Sequence, residues 1–179
     1  MTRQLAQDDA GLTLVELIVT IVVSGIVLAL IAITFVNGMV AQRDGVIRDN
    51  ATGAANVVSR SLTTSVRNAT EIRVNDAGTR LDAVFIAADG TPECRAWEVR
   101  DGRLAYRSDQ TTPLPAADDT WGTLASGVEG TIDGTAVFGW DDSKNLRIGM
   151  TITMEGITAP LESGVTAQAV GGGGLTCWD

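Results

Sequence analysis

Histidine is absent from the 179 residues, lysine occurs once, as Lys144, and there are only two cysteines, Cys94 and Cys177. Without an imidazole the chain cannot assemble a Ser-His-Asp or Cys-His nucleophile, a histidine-ligated zinc or a proton shuttle tuned near pH 7, so the common hydrolase chemistries are excluded. Basic charge is scarce as well: 13 Lys+Arg stand against 22 Asp+Glu, a formal net charge of −9. Nucleic acid demands a basic patch to neutralise its phosphates, and scattered arginines do not supply one, so no nucleic-acid partner is expected. The cysteines have no C-x-x-C spacing and no third or fourth partner for zinc. No catalytic residue, metal site or cofactor is expected, and the length is that of one domain with room for an appendage.

Charge is missing altogether from Leu17 to Gln42, and Leu17–Val36 is apolar apart from Thr20, Ser24 and Thr34. As a helix this run spans roughly 30 Å, the thickness of a bilayer's hydrocarbon core. A cleaved secretory signal is the rival reading. The run is too long for one, no Ala-x-Ala site follows it, and Asp8 and Asp9 outweigh Arg3 ahead of it. At its front edge stands Glu16. A carboxylate within hydrocarbon costs a few kcal/mol and asks for a partner, unless it lies near the interface and snorkels to water. About twenty apolar side chains at ~1.5–3 kcal/mol each amount to tens of kcal/mol against exposure. Such a chain belongs in membrane lipid or packed among other copies of its helix.

Gly11, then Leu12-Thr13-Leu14-Val15-Glu16-Leu17 and the apolar run, resembles the type IV prepilin N-terminal motif over roughly residues 5–36. That motif is a short polar leader ending in Gly, an apolar first mature residue, Thr-Leu-[Ile/Val]-Glu-Leu and a long hydrophobic helix. Leu12 stands where Phe or Met is usual, and the leader is acidic where basic leaders are common. The resemblance implies cleavage between Gly11 and Leu12 by a membrane prepilin peptidase, N-methylation of Leu12, and assembly roles for Thr13 and Glu16. It also implies other pilins or pseudopilins and an inner-membrane assembly platform as partners. Cleavage would expose an α-amino group on Leu12 one helical turn from Glu16. In a nonpolar surround an unpaired charge is expensive and a paired one is tolerated. In the related filaments this carboxylate is thought to meet the N-terminal amine of a neighbouring subunit and so set the register.

Beyond Val36 the apolar spacing turns amphipathic, with Val46, Ile47, Ala54, Val57, Val58, Leu62 and Val66 on one side and Arg43, Asp44, Arg48, Asp49, Arg60 and Arg67 elsewhere. One helix over residues 12–67 would be roughly 80 Å long. No proline interrupts it, and Gly25, Gly38, Gly45 and Gly53 are expected to bend it without a sharp kink. The rival, an anchor followed by an unrelated linker, would be rich in Ser, Pro and Gly and would lack this periodicity.

Strands are expected at Glu71–Val74, Ala83–Ala88, Arg95–Arg100, Arg103–Arg107, Val128–Ile132, Ala136–Trp140, Leu146–Met154 and Val165–Val170. Asp101-Gly102 suits a type I′ turn, which pairs Val99 with Leu104 and Trp97 with Tyr106 and puts all four on one face. That face reads as core ahead of a ligand platform. Ser108–Thr120, with two prolines and three acids, reads as an exposed loop and a variable contact surface. Asp141–Asn145 lacks the Gly and Glu of a calcium loop and reads as a hairpin turn, and Gly171–Gly174 reads as a flexible loop.

A structural disulfide is the simplest state for Cys94 and Cys177, with two free buried thiols as the alternative. It would tie the C-terminus to the first hairpin and imply an oxidising exterior. Flanking charge alone leaves orientation open. The disulfide and the resemblance together place the C-terminal part outside a cytoplasmic membrane that the chain crosses once.

The expected fold class is α+β, a pilin-like lollipop whose long N-terminal helix, hydrophobic in front and amphipathic behind, packs on a mostly antiparallel β-domain. Its segments are a leader over 1–11, a transmembrane and filament-core helix over 12–36, an amphipathic continuation over 37–68 and a β-rich domain over 69–179. The expected function is a structural subunit, a minor one, of a type IV pilus or type II secretion-like pseudopilus. The order of hairpin, Pro-rich loop and Trp-Gly-x-Leu is similar to J-type minor pseudopilins. The alternative is a monomeric, single-pass, membrane-anchored surface binding module.

Overall fold

The computed structural model describes residues 13–110, 113–142, 144–169 and 177–178. Gly11, Leu12 and the glycine run at 171–174 lie outside them. The chain divides into two compact units, Met1–Arg43 and Asp44–Asp179.

Helix α1 runs over Leu14–Asn68. In the first unit every described residue is exposed. In the second, α1 buries a stripe made by Ile47, Ala51, Ala55, Val58, Leu62, Ser65 and Val66. Its spacing of three and four is one face of a helix. Val46 and Val57, expected within the stripe, lie 55% and 56% exposed instead, because the face turns through Ala51 and Ala55.

Two antiparallel sheets follow. In the first, β1 (Glu71–Val74), β2 (Arg80–Ile86), β3 (Pro92–Arg100), β4 (Arg103–Asp109) and β5 (Gly122–Ser126) pair in chain order. In the second, β8 (Asn145–Met154) pairs with β6 (Val128–Gly130), β7 (Phe138–Asp142) and β9 (Ile157–Thr166). Leu62, Trp97, Leu104, Phe138, Leu146, Met150 and Ile152 meet in one core between α1 and the sheets.

The β3–β4 hairpin has the expected register, Val99 against Leu104 and Trp97 against Tyr106, with all four side chains in or against that core. Asp101 and Gly102 both take positive φ, 51° and 70°, as a type I′ turn requires. The Trp97 and Tyr106 rings lie 5.2 Å apart.

Strand bounds shift from those expected, β2 running from Arg80 to Ile86, β6 ending at Gly130 and β7 beginning at Phe138, and three larger features of the sheets differ from expectation. Of the strand expected at Val165–Val170 only Val165 and Thr166 are strand, as the end of a longer β9 that starts at Ile157 after a Glu155-Gly156 turn with φ of 46° and 84°; residues 167–169 are not strand, and Val170 lies outside the described residues. Pro160 and Gly164 mask it in sequence; on a strand paired on one side only, a proline nitrogen can face away from the ladder. Strand β5 carries few β-branched residues and was not expected.

The third is the outer face of the first sheet. Because side chains alternate, Val84, Ala96 and Ala105 point away from α1, and they are covered by Leu114, Ala117, Trp121, Cys177 and Trp178. The Pro-rich segment is therefore anchored: Ser108 and Asp109 belong to β4, Leu114 and Ala117 are buried, and Pro113, Pro115, Ala116, Asp118, Asp119 and Thr120 are exposed.

Candidate functional site

The N-terminal helix begins at a cap. The Glu16 backbone N–H donates to Thr13 Oγ1 at 3.3 Å, and the Leu17 N–H donates to the Thr13 carbonyl at 3.1 Å. Thr13 thus satisfies one of the donors that a helix start leaves over. Thr13-x-x-Glu16 also has the spacing of a capping box, which places the acid in the first turn, where the helix dipole favours negative charge. The two residues expected to act in assembly are brought together by a local hydrogen bond.

Both threonine hydroxyls within the apolar run are satisfied along the helix itself. Thr20 Oγ1 donates to the Glu16 carbonyl at 2.7 Å, and Thr34 Oγ1 donates to the carbonyls of Leu30 and Ile31. A hydroxyl that bonds back to its own helix leaves no unmet donor facing hydrocarbon. From Leu14 to Val40 the large apolar side chains are 49–74% exposed. By length and composition α1 can cross a membrane. What this surface can do is pack, against lipid or against other helices.

The second unit holds two fasteners on its outer face. Cys94, on β3, and Cys177 are disulfide-bonded, with Cα atoms 5.5 Å apart. Arg80, on β2, is the centre of the other. Its guanidinium donates to both oxygens of Asp82, to Glu98 Oε2 at 3.1 Å, and to the carbonyls of Leu114 and Pro115 at 2.9 Å each. Glu98 Oε2 also accepts the Ala117 N–H at 2.9 Å. Burial works against the Arg80 charge, but Asp82 and then Glu98 outweigh it and raise its pKa above the ordinary value. The guanidinium also lies 5.6 Å from the centre of the Trp121 ring. Sequence reasoning missed this cluster. The strand expected there began at Ala83 and left Arg80 and Asp82 outside it; β2 starts at Arg80, and two apart on a strand the pair shares one face.

Two exposed loops use one device: Asp89 accepts from the backbone and side chain of Thr91, and Asp118 from those of Thr120, which lowers both aspartate pKa values. The Trp140–Leu146 segment is the β7–β8 hairpin, and no cluster of potential metal ligands occurs among the described residues.

The prokaryotic N-terminal methylation motif matches the chain over residues 7–32. This places the capped helix start and most of the apolar run inside a segment that supports a type IV pilin-like family. No curated protein and no solved structure gives a significant match to the chain.

Proposed function

We propose that this type IV pilin-like precursor is a structural subunit, a minor one, of a type IV pilus or a type II secretion-like pseudopilus. It is cleaved between Gly11 and Leu12 by a prepilin peptidase, methylated on Leu12, and incorporated through its N-terminal helix with help from an inner-membrane platform. The observation that carries this reading is the combination of the motif at 7–32 with the uncovered apolar surface of Leu14–Val40. Before assembly that surface lies in membrane lipid, with the second unit outside, where an oxidising compartment suits the Cys94–Cys177 bond. Assembly exchanges lipid contacts for helix contacts. Glu16 then pairs with the α-amine of a neighbouring subunit, since a carboxylate in a nonpolar surround requires a cation. The finer resemblance to J-type minor pseudopilins rests on the hairpin and Pro-rich loop order alone.

Mass spectrometry of the membrane-bound protein tests processing: loss of residues 1–11 with a methylated Leu12 is expected. An intact N-terminus would favour a monomeric membrane tether. Glu16→Ala is expected to leave insertion intact and cut incorporation into purified filaments at least tenfold; normal incorporation would remove Glu16 from the mechanism.

A further inference from the structure

We infer that Cys177 and Trp178 form a redox-latched cover on the outer face of the first sheet, which opens when the disulfide is reduced while the core facing α1 stays closed. This goes beyond the assembly reading and does not depend on it. The two faces of the sheet hold separate apolar clusters. Leu81, Phe85, Trp97 and Leu104 pack toward α1, whereas Val84, Ala96, Trp121 and the two cysteines pack on the other side. Alternation along each strand produces this division: neighbours in sequence share a backbone and not a cluster. Loss of the outer layer therefore removes no side chain from the inner one.

The outer layer is itself held in two unlike ways. The 113–117 segment is held by Arg80, Arg100 and Glu98, through hydrogen bonds to the Leu114, Pro115 and Ala117 carbonyls and from the Ala117 N–H. Cys177, in contrast, is tied to β3 by its sulfur, and Trp178 packs behind it. Both cysteines are almost inaccessible, at 0% and 1% exposure. A thiolate reaches either sulfur only when a transient fluctuation lifts part of the cover, so local opening gates the chemistry, and breaking the bond then makes the opening persistent. Once it lifts, a dithiol reductant attacks one sulfur, the sulfur–sulfur bond breaks and a mixed disulfide forms. The reductant's second thiol then displaces the remaining cysteine. Cys94 and Cys177 end as thiols, and the two electrons come from the dithiol, which leaves as its own disulfide.

The test uses the full chain in detergent micelles, oxidised, reduced with dithiothreitol, and as Cys177→Ser. Carboxypeptidase trimming followed by mass spectrometry reports the tail, and amide exchange at Val58, Leu62, Met150 and Ile152 reports the inner core. Reduction is expected to speed removal of Trp178 at least tenfold, and by a larger factor than inner-core exchange, which rises only through the lower global stability of a chain without its crosslink. Cys177→Ser is expected to behave like the reduced chain without reductant. Unchanged trimming on reduction would show that the cover holds without its sulfur link. Inner-core exchange that rises by the same factor as trimming would show that the layers are one cooperative unit. Either result overturns the proposal.

Discussion

Gly127 is the residue at which the chain leaves one sheet for the other, standing alone between β5 and β6. It has φ of 68°, and a Cβ there would run into the Thr153 carbonyl oxygen, while its own carbonyl accepts the Thr153 N–H at 2.9 Å. Gly127→Ala meets both backbone strain and a steric block. It is expected to destabilise the second unit by about 1–3 kcal/mol from the backbone alone, read as a lower denaturation midpoint. Arg80 is singular for a different reason: its one cation faces two carboxylates, Asp82 and Glu98, in a site where its side chain is 16% exposed. Arg80→Met keeps much of the bulk and strands both acids. A loss of about 3–5 kcal/mol is expected by chemical denaturation. A loss under ~1 kcal/mol would mean that the acids relax to water. The positive charge itself does not titrate in the working range: with its pKa raised above the ordinary arginine value, its contribution is full at neutral pH and fades only in strong alkali.

At the scale of elements, the loop between β4 and β5 shows how a segment can be exposed and fixed at once. Its Asp118 is fully exposed, with its pKa lowered by the side-chain and backbone hydrogen bonds from Thr120. A carboxylate with a depressed folded pKa stabilises above its unfolded pKa and loses that contribution as pH falls through the folded value. Thr120→Val removes the hydroxyl donor. The Asp118 titration followed by NMR is expected to move up toward the ordinary carboxylate range, and the share of acid-induced loss of stability that Asp118 carries is expected to shrink as its folded and unfolded values draw together; an unmoved titration would put the shift elsewhere. The same element shows what could be read in sequence and what could not. Helix α1, the β3–β4 hairpin and the β7–β8 hairpin were legible because periodicity and turn chemistry are local. The burial of Leu114 and Ala117 was not, since it depends on small residues, Ala96 and Ala105, that clear space on two other strands. Strand β9 was obscured by Pro160, whose tolerance comes from pairing on one side, a fact of topology. Val46 and Val57 were misplaced because a pattern of three and four fits more than one face of a helix, and only the sheet opposite selects among them. At the helix start the sequence was read for the prepilin-like motif, which gave Thr13 and Glu16 an assembly role, and the cap that the Thr-x-x-Glu spacing makes was missed. The two roles are compatible, since the cap uses the Glu16 backbone and leaves its carboxylate for a partner.

For the whole molecule, apolar exposure and packing are divided by position along the chain. Among the described residues burial begins at Ile47, after the division at Arg43, so the second unit draws nothing for its core from the first. A chain starting at Asp44 keeps the buried stripe of α1, both sheets and both cysteines. Removing Met1–Arg43 deletes Asp8, Asp9 and Glu16 together with Arg3 and Arg43, which changes the net charge from −9 to −8 and preserves the acidic excess that favours solubility. This fragment is expected to elute as a monomer without detergent, to keep the Cys94–Cys177 bond and to unfold in one cooperative transition. The full chain is expected to require detergent or lipid, because its uncovered apolar run has no partner in water. Size-exclusion chromatography and calorimetry of the two forms make the comparison. A fragment that aggregates or melts without cooperativity would show that the first unit supports the fold, and the assignment of α1 to two tasks, packing inward behind Arg43 and outward ahead of it, would have to be abandoned.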